Sequence, residues 1–143
     1  MQIREVMTSD VETIGANIPL KDAAAKMKEL DVGLMPVCDG EKLRGLLTDR
    51  DITVRATAEG RDPKKTKVSE IMSADVVFCF EDQDVEDAVN LMEVKQIRRV
   101  PILNREKHLV GIISLGDIAV RAGDQKLTGE TLREVSEPAA PKR

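Results

Sequence analysis

Apolar residues recur along this chain in two rhythms, and the pair of rhythms appears twice. Helical spacing puts Leu20, Ala23, Ala24, Met27 and Leu30 on one face of a predicted helix. It does the same for Val85, Ala88, Val89 and Met92. A short strand-like run precedes each helix, Val11 to Ile14 and Val76 to Phe80. Two further apolar runs follow each: Gly33 to Cys38 with Leu43 to Leu47, and Val100 to Leu103 with Leu109 to Ile113. Asp39-Gly40-Glu41 and Asn104-Arg105-Glu106 carry the turn residues between them. A last helix starts at Thr48 in one set and at Ser114 in the other. The pattern predicts β-α-β-β-α, twice.

The two sets are copies. A shift of 65 places Val6-Met7 on Ile71-Met72, Asp22-Ala23 on Asp87-Ala88, Met27 on Met92 and Pro36 on Pro101. After Glu41-Lys42 the shift becomes 66, so that Gly45 meets Gly111, Asp51-Ile52 meets Asp117-Ile118 and Arg55 meets Arg121. One extra residue near His108, in a strand-to-strand turn, accounts for the change. Residues 1–60 form the first repeat, 61–67 (RDPKKTK) a charged linker, 68–123 the second repeat and 124–143 a polar tail. Within the tail, Leu127, Thr131, Leu132 and Val135 allow a short amphipathic turn, and Glu137 to Arg143 read as a disordered end. One repeat alone carries a small sheet with an exposed apolar face. Two packed face to face bury it, so an α/β (α+β) domain with pseudo-two-fold symmetry is expected.

Composition narrows the function. The chain has 143 residues, 41% of them hydrophobic, and its only aromatic residues are Phe78 and Phe80. A core of Val, Ile, Leu, Met and Ala is implied, and base-stacking recognition of single-stranded nucleic acid is disfavoured. A formal net charge of -4 with interspersed signs gives no nucleic-acid footprint. No apolar run approaches the ~20 residues of a membrane-spanning helix, and Met1 to Glu5 does not read as a signal peptide. The cytoplasm is the expected compartment. Cys38 and Cys79 lie in apolar runs without Cys-x-x-Cys spacing, and read as small core residues rather than metal ligands or a disulfide.

Candidate chemistry gathers at Gly45-Leu46-Leu47-Thr48-Asp49-Arg50-Asp51 and Gly111-Ile112-Ile113-Ser114-Leu115-Gly116-Asp117. Each places a hydroxyl residue, and an acid three positions later, where a strand passes into a helix. Two readings stand. In one, Thr/Ser-x-x-Asp is a capping box that satisfies free backbone N–H groups, with no ligand involved. In the other, the helix start seats a phosphate, the acid accepts from ribose hydroxyls, and the glycine lets another group approach the backbone. Asp22 and Asp87 read as first-turn acids favoured by the helix dipole. His108 has no nucleophile beside it.

The Met7-Thr8 and Met72-Ser73 openings, the Leu34-Met35-Pro36-Val37 and Arg99-Val100-Pro101-Ile102 strands, and the two Gly-x-x-Thr/Ser-x-x-Asp endings together resemble a tandem cystathionine-β-synthase-type (CBS) domain pair, or Bateman module. The likeness runs from Val6 to about Gly123. It is strongest to small stand-alone bacterial and archaeal members, some described as stress- or hypoxia-response proteins, others related to the regulatory insert of inosine-monophosphate dehydrogenase. The resemblance implies a regulatory module without catalysis or a required cofactor. It implies adenosine ligands (AMP, ADP, ATP or S-adenosylmethionine) in clefts between the repeats, a homodimer, and a regulated protein target. By position it implies that Asp51 and Asp117 hold ribose, and that Thr48 and Ser114 face ribose or phosphate. Adenine would pack near Thr13, Ile14 and Met35 in one copy, and near Phe78, Cys79 and Val100 in the other.

Arg50 is the expected phosphate partner of the first motif. The second motif lacks a charge of its own and must borrow Arg98 or Arg99, of which strand alternation lets one face the site. The first motif is therefore the expected better site. The alternative to sensing is a ligand-free interaction module that dimerises through Ile52-Thr53-Val54 and Ile118-Ala119-Val120.

Overall fold

A computed structural model describes residues 1–122 and 132–135. Its two three-stranded sheets, each with helices, give a mixed α+β fold. The first sheet holds β1 (Ile14–Gly15), β2 (Leu34–Asp39) and β3 (Lys42–Thr48), with α1 (Leu20–Leu30) between β1 and β2. After β3 the chain enters α2 (Asp49–Asp51), which continues in π-helical turns over Ile52–Thr57. The second set repeats this order: β4 (Cys79–Phe80), α3 (Val85–Lys95), β5 (Arg99–Leu103), β6 (Leu109–Ser114) and α4 (Leu115–Asp117), with π-helical turns over Ile118–Ala122. In each sheet the first two strands are parallel and the last two antiparallel.

The helices turn the expected faces inward. Leu20, Ala23 and Met27 are buried on α1, and Val85, Ala88, Val89 and Met92 on α3. The final helices start where expected, with Thr48 and Ser114 as N-caps. Asp87 pairs back onto Asp84 N at 3.2 Å in a first-turn box, as an acid there should. The extra residue of the second copy lies in the β5–β6 turn, which Asn104 closes by accepting from Glu106 N and His108 N at 3.0 and 2.9 Å.

The opening strands are shorter than the expected Val11 to Ile14 and Val76 to Phe80. Proline explains this. Pro36 and Pro101 sit in the middle strands without an N–H, so parallel pairing begins only at Ile14↔Val37 and Cys79↔Ile102. On the other side the same prolines oppose Leu46 and Ile112, whose backbone groups point away from them. Leu46 exchanges two bonds with Ser73 (3.0 and 2.9 Å), and Ile112 exchanges two with Thr8 (3.0 and 2.9 Å). A central proline is tolerated because neither neighbour asks it for a donor.

Those bonds divide the chain differently from the repeats. One compact unit is Glu12–Val76, and the other joins Met1–Val11 to the chain from Val77 onward. Ile3 and Val6, from the opening of the first repeat, are fully buried in the core around α3, β5 and β6. Val68 and Ile71, from the opening of the second, are buried in the core around α1, β2 and β3. The charged segment 61–67 is likewise built into a unit. Carbonyls of Thr66 and Pro63 accept from Leu20 N and Lys21 N at 2.8 and 3.0 Å, and Thr66 is 4% exposed. The first N–H groups of a helix need acceptors, and this stretch supplies them. Met1 does the same for the other helix, its carbonyl accepting from Val85 N at 3.0 Å.

Val135 is buried in the second unit's core, whereas the expectations for Leu127, Thr131 and Glu137 to Arg143 lie outside the described residues. Among the described residues no helix is long and apolar enough to cross a membrane. Cys38 and Cys79 are free and buried. Burial pushes both thiols up, and with the nearby Asp87 charge it takes Cys79 to about 11.

Candidate functional site: two strand-to-helix corners

Both motifs fold as reciprocal caps. Thr48 Oγ1 accepts from Asp51 N at 3.0 Å, and Asp51 Oδ2 accepts from Thr48 N at 3.0 Å. Ser114 and Asp117 repeat both bonds at the same distances. All four residues are half-buried. The cap uses one oxygen of each carboxylate, so the capping reading is realised in both copies without exhausting the acids. Among the described residues Asp51 accepts nothing further. Asp117 also faces the Thr8 hydroxyl, at 3.3 and 3.4 Å from its two oxygens.

The glycines have a structural reason. A Cβ on Gly45 would lie 2.6 Å from Ser73 O and 2.8 Å from Met72 Sδ. On Gly111 it would lie 2.7 Å from Thr8 O and 2.8 Å from Met7 Sδ. The group that approaches the backbone is therefore the Met-Thr or Met-Ser opening, not a ligand. Arg55 and Arg121 fasten the same openings, donating to Met72 O at 3.3 Å, and to Val6 O and Met7 O at 3.0 and 2.7 Å.

The other expected site residues fall into two groups. Ile14, Met35, Cys79 and Val100 are buried. Thr13 is half-buried beside β1, and Phe78 is 38% exposed beside β4. Phe78 meets Phe80 edge to face at 5.5 Å between ring centroids. Arg105 lies 4.1 Å over Phe80 and grips Asp82 with two bonds, at 2.9 and 2.8 Å. The Arg105 guanidinium holds the Asp82 carboxyl below its ordinary range.

Around the caps the two corners diverge. At the second, Arg98, Arg99, Ser114, Leu115, Ala119 and Leu132 line a cavity of about 420 Å³. Strand alternation was expected to bring only one arginine to the site, yet both line it. Arg98 precedes β5, so the pleat does not govern the pair. Leu115 is buried, and its N–H donates to Arg98 O at 2.9 Å. At the first corner Asp49 takes the place of Leu115, and Gly33 that of Arg98. Asp49 N donates to Gly33 O at the same 2.9 Å, but the Asp49 carboxylate fills the space where a Gly33 Cβ would be, 2.9 Å from Oδ2. Arg50 is exposed, and its guanidinium has no ion pair among the described residues.

Thr8, Gly33, Asp49 and Leu132 stand in the sequence as parts of an opening, a strand, a motif and the tail, with nothing local to mark them as neighbours of the corners. Aligning the motifs together with the strand that precedes each would have exposed the Gly33–Asp49 against Arg98–Leu115 exchange.

Fold and corners define a duplicated α+β module with one capped strand-to-helix corner per repeat. The chain belongs to the CBS domain family, whose model matches residues 3–56 and again 68–123. It is 42% identical over 134 residues, 94% of each chain, to the CBS domain-containing protein YhcV of Bacillus subtilis. The crystal structure of Hypoxic Response Protein I with two coordinated zinc ions is similar, with a TM-score of 0.77 at 35% identity, over 83% of this chain and 97% of that one. So is the CBS domain pair of protein MJ0100 in complex with 5'-methylthioadenosine and S-adenosyl-L-methionine. Its TM-score is 0.73 at 27% identity, over 86% of this chain and 96% of that one. Among the described residues of this chain no group of three His, Cys, Asp or Glu side chains is placed to hold a metal ion.

Proposed function

We propose that this chain is a non-catalytic regulatory module that binds adenosine ligands, AMP, ADP, ATP or S-adenosylmethionine, and passes their presence to a protein target. One observation carries the reading: two half-buried carboxylates, Asp51 and Asp117, recur at equivalent corners with one oxygen each committed to a cap. The remaining capacity of each suits a ribose hydroxyl. The similar MJ0100 pair, crystallised with two adenosyl compounds, supports the ligand class. In this reading Thr48 and Ser114 face ribose or phosphate, and Arg50 and Arg99 are the cations available to a phosphate where the ligand carries one. Backbone near Thr13, Ile14 and Met35, and near Phe78, Cys79 and Val100, reads the base. Free, buried Cys38 and Cys79 fit a reducing, cytoplasmic setting.

Binding to the folded state stabilises it by mass action. A ligand at a hundredfold excess over Kd adds about 2.7 kcal/mol, roughly 8 °C in melting temperature for a chain of this size. Melting curves with AMP, ADP, ATP, S-adenosylmethionine and NAD at millimolar concentration test this. The absence of a shift with all five would remove the adenosine reading.

A second reading, a ligand-free homodimer module, is favoured by the completeness of the caps and by exposed Val54 (46%) and Val120 (83%), at equivalent positions beside the corners. Both readings allow a dimer, so the ligand response distinguishes them: this one expects no melting shift with any of the five compounds, and a dimer in sedimentation that Val120→Asp dissociates.

A further inference from the structure

We infer that the two corners take adenosine ligands of opposite charge: phosphorylated ones at the Ser114 corner, and uncharged or cationic adenosyl compounds at the Thr48 corner. The inference rests on the adenosine reading and adds the ligand class of each site. It reverses the order expected from Arg50 alone.

Position by position the corners carry different charge. Gly33, Leu34, Asp49, Arg50 and Asp51 stand where Arg98, Arg99, Leu115, Gly116 and Asp117 stand in the other copy. The Thr48 corner thus has two carboxylates and one cation. The Ser114 corner has two cations and one carboxylate.

Packing holds this difference in place. Leu115 is 6% exposed and anchored in the second core, and its backbone bond to Arg98 O sets the arginine at the cavity's edge. Asp49 cannot turn inward in the same way without burying an unpaired charge. It stays outside against Gly33, where its Oδ1 accepts from Arg50 N at 2.8 Å. Any phosphate drawn to Arg50 meets Asp49 beside it. A like charge about 6 Å from a phosphate weakens binding by roughly three- to a hundredfold, depending on the effective dielectric. An amine or sulfonium gains from the same carboxylate.

The walls differ too. Leu115, Ala119 and Leu132 give the Ser114 cavity an apolar side for a base or sugar, with Arg99 free of ion pairs among the described residues. Its volume of about 420 Å³ lies within the range of small-ligand sites. Asp49 and Thr53 occupy the Leu115 and Ala119 positions of the first corner, and Thr53 Oγ1 donates to Asp49 O at 3.1 Å.

Calorimetric titration of Asp51→Asn and Asp117→Asn with ATP and with S-adenosylmethionine tests the assignment. Asparagine keeps an oxygen for the cap, so both variants are expected to fold. Asp117→Asn should weaken ATP at least tenfold and leave S-adenosylmethionine unchanged, and Asp51→Asn should do the reverse. Arg99→Gln, outside either cap, gives an independent reading: ATP about tenfold weaker, with a shallower salt dependence, and S-adenosylmethionine unaffected. ATP lost in Asp51→Asn but kept in Asp117→Asn overturns the assignment while the adenosine reading stands. Equal losses of both ligands in either variant overturn it too. No heat from wild type with either ligand sinks the adenosine reading itself.

Discussion

The Thr48 and Ser114 corners share a scaffold and differ in what surrounds it. Their reciprocal caps have the same distances, 3.0 Å for all four bonds. A Cβ on either glycine would meet a carbonyl of the equivalent opening, at 2.6 and 2.7 Å. Beside them one copy holds Gly33 and Asp49, the other Arg98 and Leu115. Backbone and cap are common because each helix start must satisfy its N–H groups. Only the side chains outside the cap were free to diverge. Duplication here has preserved the frame of a corner and changed the charge beside it.

Exchanging the diverged residues should have the greatest consequence. Leu115→Asp would push a carboxylate into a packed core and cost about 3–5 kcal/mol in urea unfolding, whereas Asp49→Leu stays within about 0.5 kcal/mol. Equal costs would mean that the corners are packed alike. Next are the openings. Ile3→Ala removes a fully buried side chain from the second unit and Ile71→Ala one from the first, each at a cost of about 2–5 kcal/mol. Hydrogen exchange should show protection falling in the unit that receives the opening, not in the repeat that donates it.

That exchange of openings was the least legible feature of the sequence. Repeats, helix faces, turns and caps are local, so spacing reveals them. The openings pair with residues far along the chain, and Ile3 reads the same whichever core receives it. Gly45 and Gly111 were visible as places of close approach, but the approaching group could not be named without the pairing of Ser73 with Leu46 and Thr8 with Ile112. The Asp49–Leu115 contrast was present in the alignment, but burial alone makes it a difference of charge at a surface.

Gly45→Ala and Gly111→Ala each force a Cβ against backbone and should cost about 1–3 kcal/mol, equally in both copies. The thiols respond least at neutral pH. Folded Cys79 holds its proton to about 11, against an ordinary value of 9.0, so the unfolded chain releases it first. Its contribution to stability is complete below pH 9 and falls as pH rises from 9 through about 11. At pH 8 the native protein should react slowly with a thiol reagent, and both Cys38 and Cys79 should react at once in denaturant.

If the two like-built corners bind unlike ligands, native mass spectrometry of the intact protein with ATP and S-adenosylmethionine together should find one ATP and one S-adenosylmethionine on each chain at the same time, neither displacing the other. Two ATP molecules per chain, or displacement of one ligand by the other, would contradict it.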